Sequence, residues 1–113
     1  MLVLIDESLP KRVRRELPGF RAFTVSQRGW SRTKNGALLR LAEAAGFEGF
    51  LTADQSLQYQ QNLAKSKLRI VVFEALSNRM EHIGPLLPRA MAALREMSPG
   101  EVRIIRRDTN PAS

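Results

Sequence analysis

Short apolar runs alternate with helical periodicity along the whole chain. Leu2–Ile5 reads as a buried strand, and Leu9, Val13 and Leu17 then recur at i, i+4 and i+8, giving a short helix over Ser8–Glu16. Pro18-Gly19 breaks that helix, and Phe20–Val25 alternates as a second strand. A polar loop follows over Ser26–Gly36. Next comes a helix from Asn35 to Ala45, with Leu38, Leu39, Leu41 and Ala42 inward and Gly46 as its stop. Phe47–Thr52 reads as a third strand, Ser56–Leu63 as a short Gln-rich helix and Leu68–Phe73 as a fourth strand. Arg79–Met97 is the longest helical stretch, and Pro85 and Pro88 require its first turns to be irregular or to restart near Pro88. Pro99-Gly100 ends it, Glu101–Arg107 alternates as an edge strand, and Asp108–Ser113 reads as a disordered tail.

Strands alternating with helices predict a single-domain, three-layer α/β/α fold with a parallel sheet. Right-handed crossovers, with the switch point beside the first strand, give the spatial order 2-1-3-4-5. The first and third strands then lie side by side, and an acid follows each of them, Asp6 and Asp54. Adjacent strand ends place the two about 5 Å apart. They sit at the carboxyl edge of the sheet, where open α/β folds bind ligands.

Helices that follow parallel strands begin at that same edge, so Glu7, Asn35 and Ser56 should rim the acid pair. Hard oxygen ligands facing water suit Mg²⁺ or Mn²⁺, with Asp6, Asp54 and Glu7 as the ligating acids. Such an ion activates a water and neutralises a phosphodiester oxygen. Without metal, two neighbouring anions should push one carboxylate pKa upward. The plainer reading is that each Asp caps the helix after it. Glu43, two turns into its helix, reads as a solvated surface acid, and His82 as a surface histidine at a polar helix start. Nothing supports a Ser-His-Asp or Cys-based nucleophile.

The chain has 113 residues, which allows one modest core. Eighteen Lys and Arg stand against eleven Asp and Glu, for a net charge of +7. Arginine, suited to planar and bidentate contacts, dominates the bases, which points to a polyanionic or acidic partner. Arg28, Trp30, Arg32 and Lys34 share one loop and form the candidate nucleic-acid contact. Trp30 either stacks there on a base or folds back on the core. Gln55, Gln58, Gln60, Gln61 and Asn62 either read base edges or solvate a helix. No apolar run reaches the roughly 20 residues of a membrane helix. MLVLI runs straight into Asp6 and Glu7, unlike a signal peptide. Cysteine is absent, which rules out disulfides and fits a cytoplasmic location.

The segments LVLIDESLP, KNGALLRLA and FLTADQS resemble a compact PIN-like domain. The likeness is to small bacterial proteins of unknown function related to the toxin ribonucleases of toxin–antitoxin systems, and it covers residues 1–107. It implies a Mg²⁺- or Mn²⁺-dependent ribonuclease with Asp6 as the first acid and Asp54 as the acid after the third strand. RNA or another nucleic acid and an antitoxin-like protein are the partners it suggests, and a homodimer is a further expectation. Asn35 stands where the family usually has Asp, and Ser56 where it often has another acid. Asn35 joins Asp6 and Asp54 in the catalytic set through its carbonyl, without the charge. The rival reading is a catalytically silent PIN-like module that docks nucleic acid or an antitoxin-like protein. A phosphoacceptor receiver domain shares the acid placement but needs a Lys after the fifth strand, and Arg103 to Asp108 holds none.

Overall fold

Val3 and Ile5 bury themselves on one face of a sheet while Leu4 buries itself on the other, so the first strand is apolar on both sides. That is the signature of a strand covered by helices above and below. The structure, a computed structural model, describes residues 1–59 and 65–107. Five strands, β1 (Leu2–Ile5), β2 (Arg21–Thr24), β3 (Gly49–Thr52), β4 (Arg69–Glu74) and β5 (Val102–Arg106), form one all-parallel sheet. Their order is β2-β1-β3-β4-β5, as the alternation of elements predicts. Among the described residues three α-helices accompany them: α1 (Asn35–Ala44), α2 (Met80–Ile83) and α3 (Leu87–Glu96). Among the described residues, no helix is long and apolar enough to cross a membrane.

The two faces of the sheet carry separate cores. Leu38, Leu39 and Ala42 of α1 pack with Leu4, Phe50, Ile70 and Val72 on one face. Ile83, Leu87, Ala90 and Leu94 of α2 and α3 pack with Val3, Ile5, Val71 and Phe73 on the other. Leu41, expected to face inward, is 40% exposed. Gly49 lets α3 come close: a Cβ there would stand 3.1 Å from Leu94 Cδ2 and 3.4 Å from Val3 Cγ2.

Uniform right-handed crossovers do not hold. The β1–β2 connection and α1 lie on opposite faces and step in opposite directions, so they share one hand. The β3–β4 connection, through Leu57, matches α1 in both face and direction. The β4–β5 connection steps the same way but runs over the other face, through α3, and has the opposite hand. Burial of α3 against β1, β3 and β4 outweighs the twist preference that favours right-handed connections.

Three elements are shorter than their patterns suggest, each for a local reason. The first helix is only a 3-10 turn over Lys11–Arg15, because Pro10 holds an extended backbone and disfavours helix at Leu9. The apolar stripe Leu9, Val13 and Leu17 is nonetheless buried. β3 starts at Gly49 because Phe47 belongs to the end of α1. Its N–H bonds Ala42 O, the Gly46 N–H bonds Glu43 O, and Gly46 takes φ +88° in a Schellman stop. The long C-terminal helix divides at Gly84-Pro85 into α2, a 3-10 turn and α3, with Pro88 in the first turn of α3. A 3-10 turn spans Gln55–Tyr59, while the rest of the expected Ser56–Leu63 helix and the tail from Asp108 lie outside the described residues.

Candidate functional site

The register pairs Ile5 with Leu51, so the strand neighbour of Asp6 is Thr52, with Asp54 two residues further on. The Asp6 N–H extends the ladder to Leu51 O at 2.9 Å. Asp6 Oδ2 accepts from Thr52 Oγ1 and from Ser8 Oγ, each at 2.7 Å. Each hydroxyl has one proton and gives it to Asp6. Both must then act as acceptors toward the backbone, and they do. The Ala53 N–H donates to Ser8 Oγ at 2.9 Å, and the Asp54 N–H donates to Thr52 Oγ1 at 3.0 Å. Asp6 is therefore the anionic end of two short hydrogen-bond chains that begin in the backbone leading to Asp54. Among the described residues its carboxylate accepts from no helical N–H, which separates it from the plain capping reading.

Asp54 does cap. Its Oδ1 accepts from the Ser56 N–H at 3.0 Å and from Ser56 Oγ at 2.6 Å. Asn35, the first residue of α1, brings its Nδ2 to 3.4 Å from Asp54 Oδ2. The Ser56 hydroxyl is the main reason that the Asp54 carboxyl lies below its ordinary range, with the Ser56 N–H and Asn35 adding to it against the opposing effect of burial. The upward push expected from two neighbouring anions is not what governs Asp54. Donors aimed at the carboxylate outweigh its burial and favour the ionised form.

A stability prediction follows from the sign of that shift. A depressed carboxyl stabilises the fold above its unfolded pKa of about 4, and that contribution is lost as pH falls through the lower folded value. Ser56→Ala should move the Asp54 pKa back up and flatten the acid limb of stability against pH. Carboxyl-carbon NMR of Asp54 checks it, and an unmoved titration would show that the Ser56 hydroxyl is not the cause.

Glu7 is exposed and lines a cavity of about 280 Å³ with Asp6, Lys11 and Ser31. Among the described residues, no three His, Cys, Asp or Glu side chains come together as a metal cluster, so Glu7 does not join Asp6 and Asp54 in one ligand set. The donors that remain are two carboxylates and the Asn35 amide. Asp6 Oδ1 receives no hydrogen bond from the described residues, and Asp54 Oδ2 receives only the long one from Asn35. One or two carboxylates, with waters and substrate phosphate completing the shell, is the usual provision for Mg²⁺. Two carboxylates and one amide are what these residues would offer a divalent ion.

Trp30 is folded back on the core. Its ring meets Phe47 edge-on at 5.9 Å, and the Arg28 guanidinium sits over one face of it at 5.0 Å. Arg32 and Lys34 are exposed on the same loop, Arg32 with φ +65°. Gln55 is exposed, while Gln60, Gln61 and Asn62 lie outside the described residues. Two side chains read as surface groups have structural partners. Half-buried Glu43 accepts from the Lys67 N–H and from Ser66 Oγ, and half-buried His82 bonds Ser77 Oγ through Nδ1 at 2.7 Å.

Sequence reasoning missed Ser8 and Thr52 as members of the site. The signal was there: Thr52 is a hydroxyl at a buried strand position, and such a group needs a polar partner. Compared with family models, with curated proteins and with solved structures, the chain matches none of them.

Proposed function

We propose that this chain is a metal-dependent ribonuclease of PIN-like type with a reduced acidic site. The observation that carries the reading is the Asp6–Thr52–Asp54 linkage at the carboxyl edge of two adjacent parallel strands. It holds two carboxylates at the edge where α/β sheets do chemistry, with Asn35 against the second. Asp6 and Asp54 would hold Mg²⁺ or Mn²⁺, and Asn35 would contribute its carbonyl after rotation of its amide. The ion, when bound, supplies a Lewis acid and a more acidic water. The chain's part is positional. Ser8 and Thr52 fix the orientation of Asp6, and Ser56 holds the Asp54 carboxylate through its hydroxyl and its N–H. A toxin role with an antitoxin-like partner belongs to the same reading.

The catalytically silent binding module is the second reading, and the lack of a third acid among the described residues favours it. Metal affinity separates the two. The Asn35 amide is the natural place to restore charge, because it opens α1 and already faces Asp54. Asn35→Asp should tighten Mn²⁺ binding by about tenfold, since affinity for hard cations tracks ligand charge. It should also gain more thermal protection from Mn²⁺ than the parent does. Without metal, the lost Asn35–Asp54 contact and the new repulsion should offset the favourable effect of an acid in the first helical turn. Calorimetric titration of both proteins is the test. Parent and variant equally blind to Mn²⁺ would leave the silent module standing.

A further inference from the structure

We propose that the groove between the Lys11–Arg15 turn and the Thr24–Gln27 loop is a track for the sugar–phosphate backbone of a single-stranded nucleic acid, leading it to Asp6. The inference takes from the proposed function only that the ligand is nucleic acid, and it does not require a metal.

In the Lys11–Arg15 turn only Val13 points into the core, fully buried, and every other position is basic. A 3-10 turn repeats every three residues, so Lys11 stacks over Arg14 and Arg12 over Arg15, making two short rows of cations. Arg12 is offset by Glu16 at 3.3 Å, an exposed pair of little strength. Lys11, Arg14 and Arg15 have no ion pair among the described residues, whereas Arg103 and Arg106 on the far edge strand are engaged by Glu96, Glu101 and Glu74. The uncompensated charge therefore faces a concavity.

That concavity, of about 410 Å³, is walled on its other side by Thr24, Ser26 and Gln27. The wall is braced: the Thr24 N–H donates to Gln27 Oε1 at 2.8 Å, and the Gln27 N–H donates to Thr24 Oγ1 at 3.1 Å. The bracing leaves the Gln27 amide nitrogen as a further donor. Lys11, Thr24 and Ser26 also line the cavity that contains Asp6, so the two spaces adjoin. Guanidinium groups in rows match successive phosphates, and no aromatic platform is offered for bases, so the contact is to backbone. Basic side chains line one wall of the groove and neutral ones the other, which provides for one phosphate backbone and not two.

The test is fluorescence anisotropy with a labelled oligouridylate in EDTA. Arg14→Gln/Arg15→Gln should weaken binding at least about tenfold and reduce the salt slope by about 1.4, from roughly 0.7 per lost contact on single strands. Arg40→Gln/Lys67→Gln removes the same charge from exposed positions outside the groove and should cost about twofold or less. If the first pair fails to fold, Lys11→Gln/Arg15→Gln, both exposed, carries the same test. Asp6→Asn should tighten binding in EDTA by removing a carboxylate from the path. Equal losses in both pairs, no binding by the parent, or equal competition by duplex RNA or polyglutamate would overturn the track. Because no metal is present, absence of Mn²⁺-dependent cleavage would count against the nuclease reading alone. Cleavage without groove-dependent binding would count against the track alone.

Discussion

Asp6→Asn should lower Mn²⁺-dependent cleavage of single-stranded RNA by at least about a hundredfold while leaving the fold intact. The substitution isolates charge from architecture. The Asn amide oxygen can still accept from Ser8 Oγ and Thr52 Oγ1, the two donors that now hold Asp6 Oδ2. What disappears is the negative charge at the end of β1 and the second ligating oxygen. With Asn35 already neutral, only Asp54 would be left to offset a divalent ion at the linkage. Initial rates in Mn²⁺ and in EDTA, with thermal melts of both proteins, measure the effect. A variant within threefold of the parent, or parent activity that survives EDTA, would remove Asp6 and its ion from the mechanism.

The second large effect falls on Thr52→Val. Thr52 is fully buried, and valine reproduces its shape but not its hydroxyl. Asp6 would lose one of two short donors, and the Asp54 N–H would lose its acceptor. Leaving such part-buried groups unpaired costs about 2 kcal/mol, in a range of about 1–3. Thr52→Ser keeps the hydroxyl and gives up a methyl, so it should recover most of that loss. Urea denaturation of the three proteins measures it. A Val variant within about 0.5 kcal/mol of the parent would mean that the hydroxyl bridge contributes nothing to the fold.

The sheet was legible because its strands are short apolar runs that only burial on both faces explains, and because helical periodicity sits between them. Leu38, Leu39 and Ala42 marked the buried face of α1 correctly, while Leu41 at the margin of that stripe did not follow. Phe47 looked like the start of a strand because hydrophobicity does not show which element claims a residue; the Gly46 stop claimed it. The hand of the last connection was illegible for a deeper reason. It depends on which face α3 covers, a property of the whole core and not of any segment. At the site, the acids and Asn35 were readable as residues at strand and helix ends. The direction of the Asp54 shift was not, because it is set by the hydroxyl of Ser56, a residue placed on the rim and in the position of a missing acid but not as a donor to Asp54.

The placement of α3 also has a consequence for the chain as it leaves the ribosome. Val3 and Ile5 are buried in one cluster with Leu87, Ala90, Leu94 and Met97, which are made more than 80 residues later. At about 5–20 residues per second, synthesis from the one group to the other takes roughly 5–20 s. For that interval β1, β3 and β4 can pair and be covered by α1 on one face, while the other is covered only by Leu9, Val13 and Leu17. A nascent chain stalled before α3 therefore presents an apolar sheet face to chaperones and to other chains, and any truncation that removes α3 makes that exposure permanent.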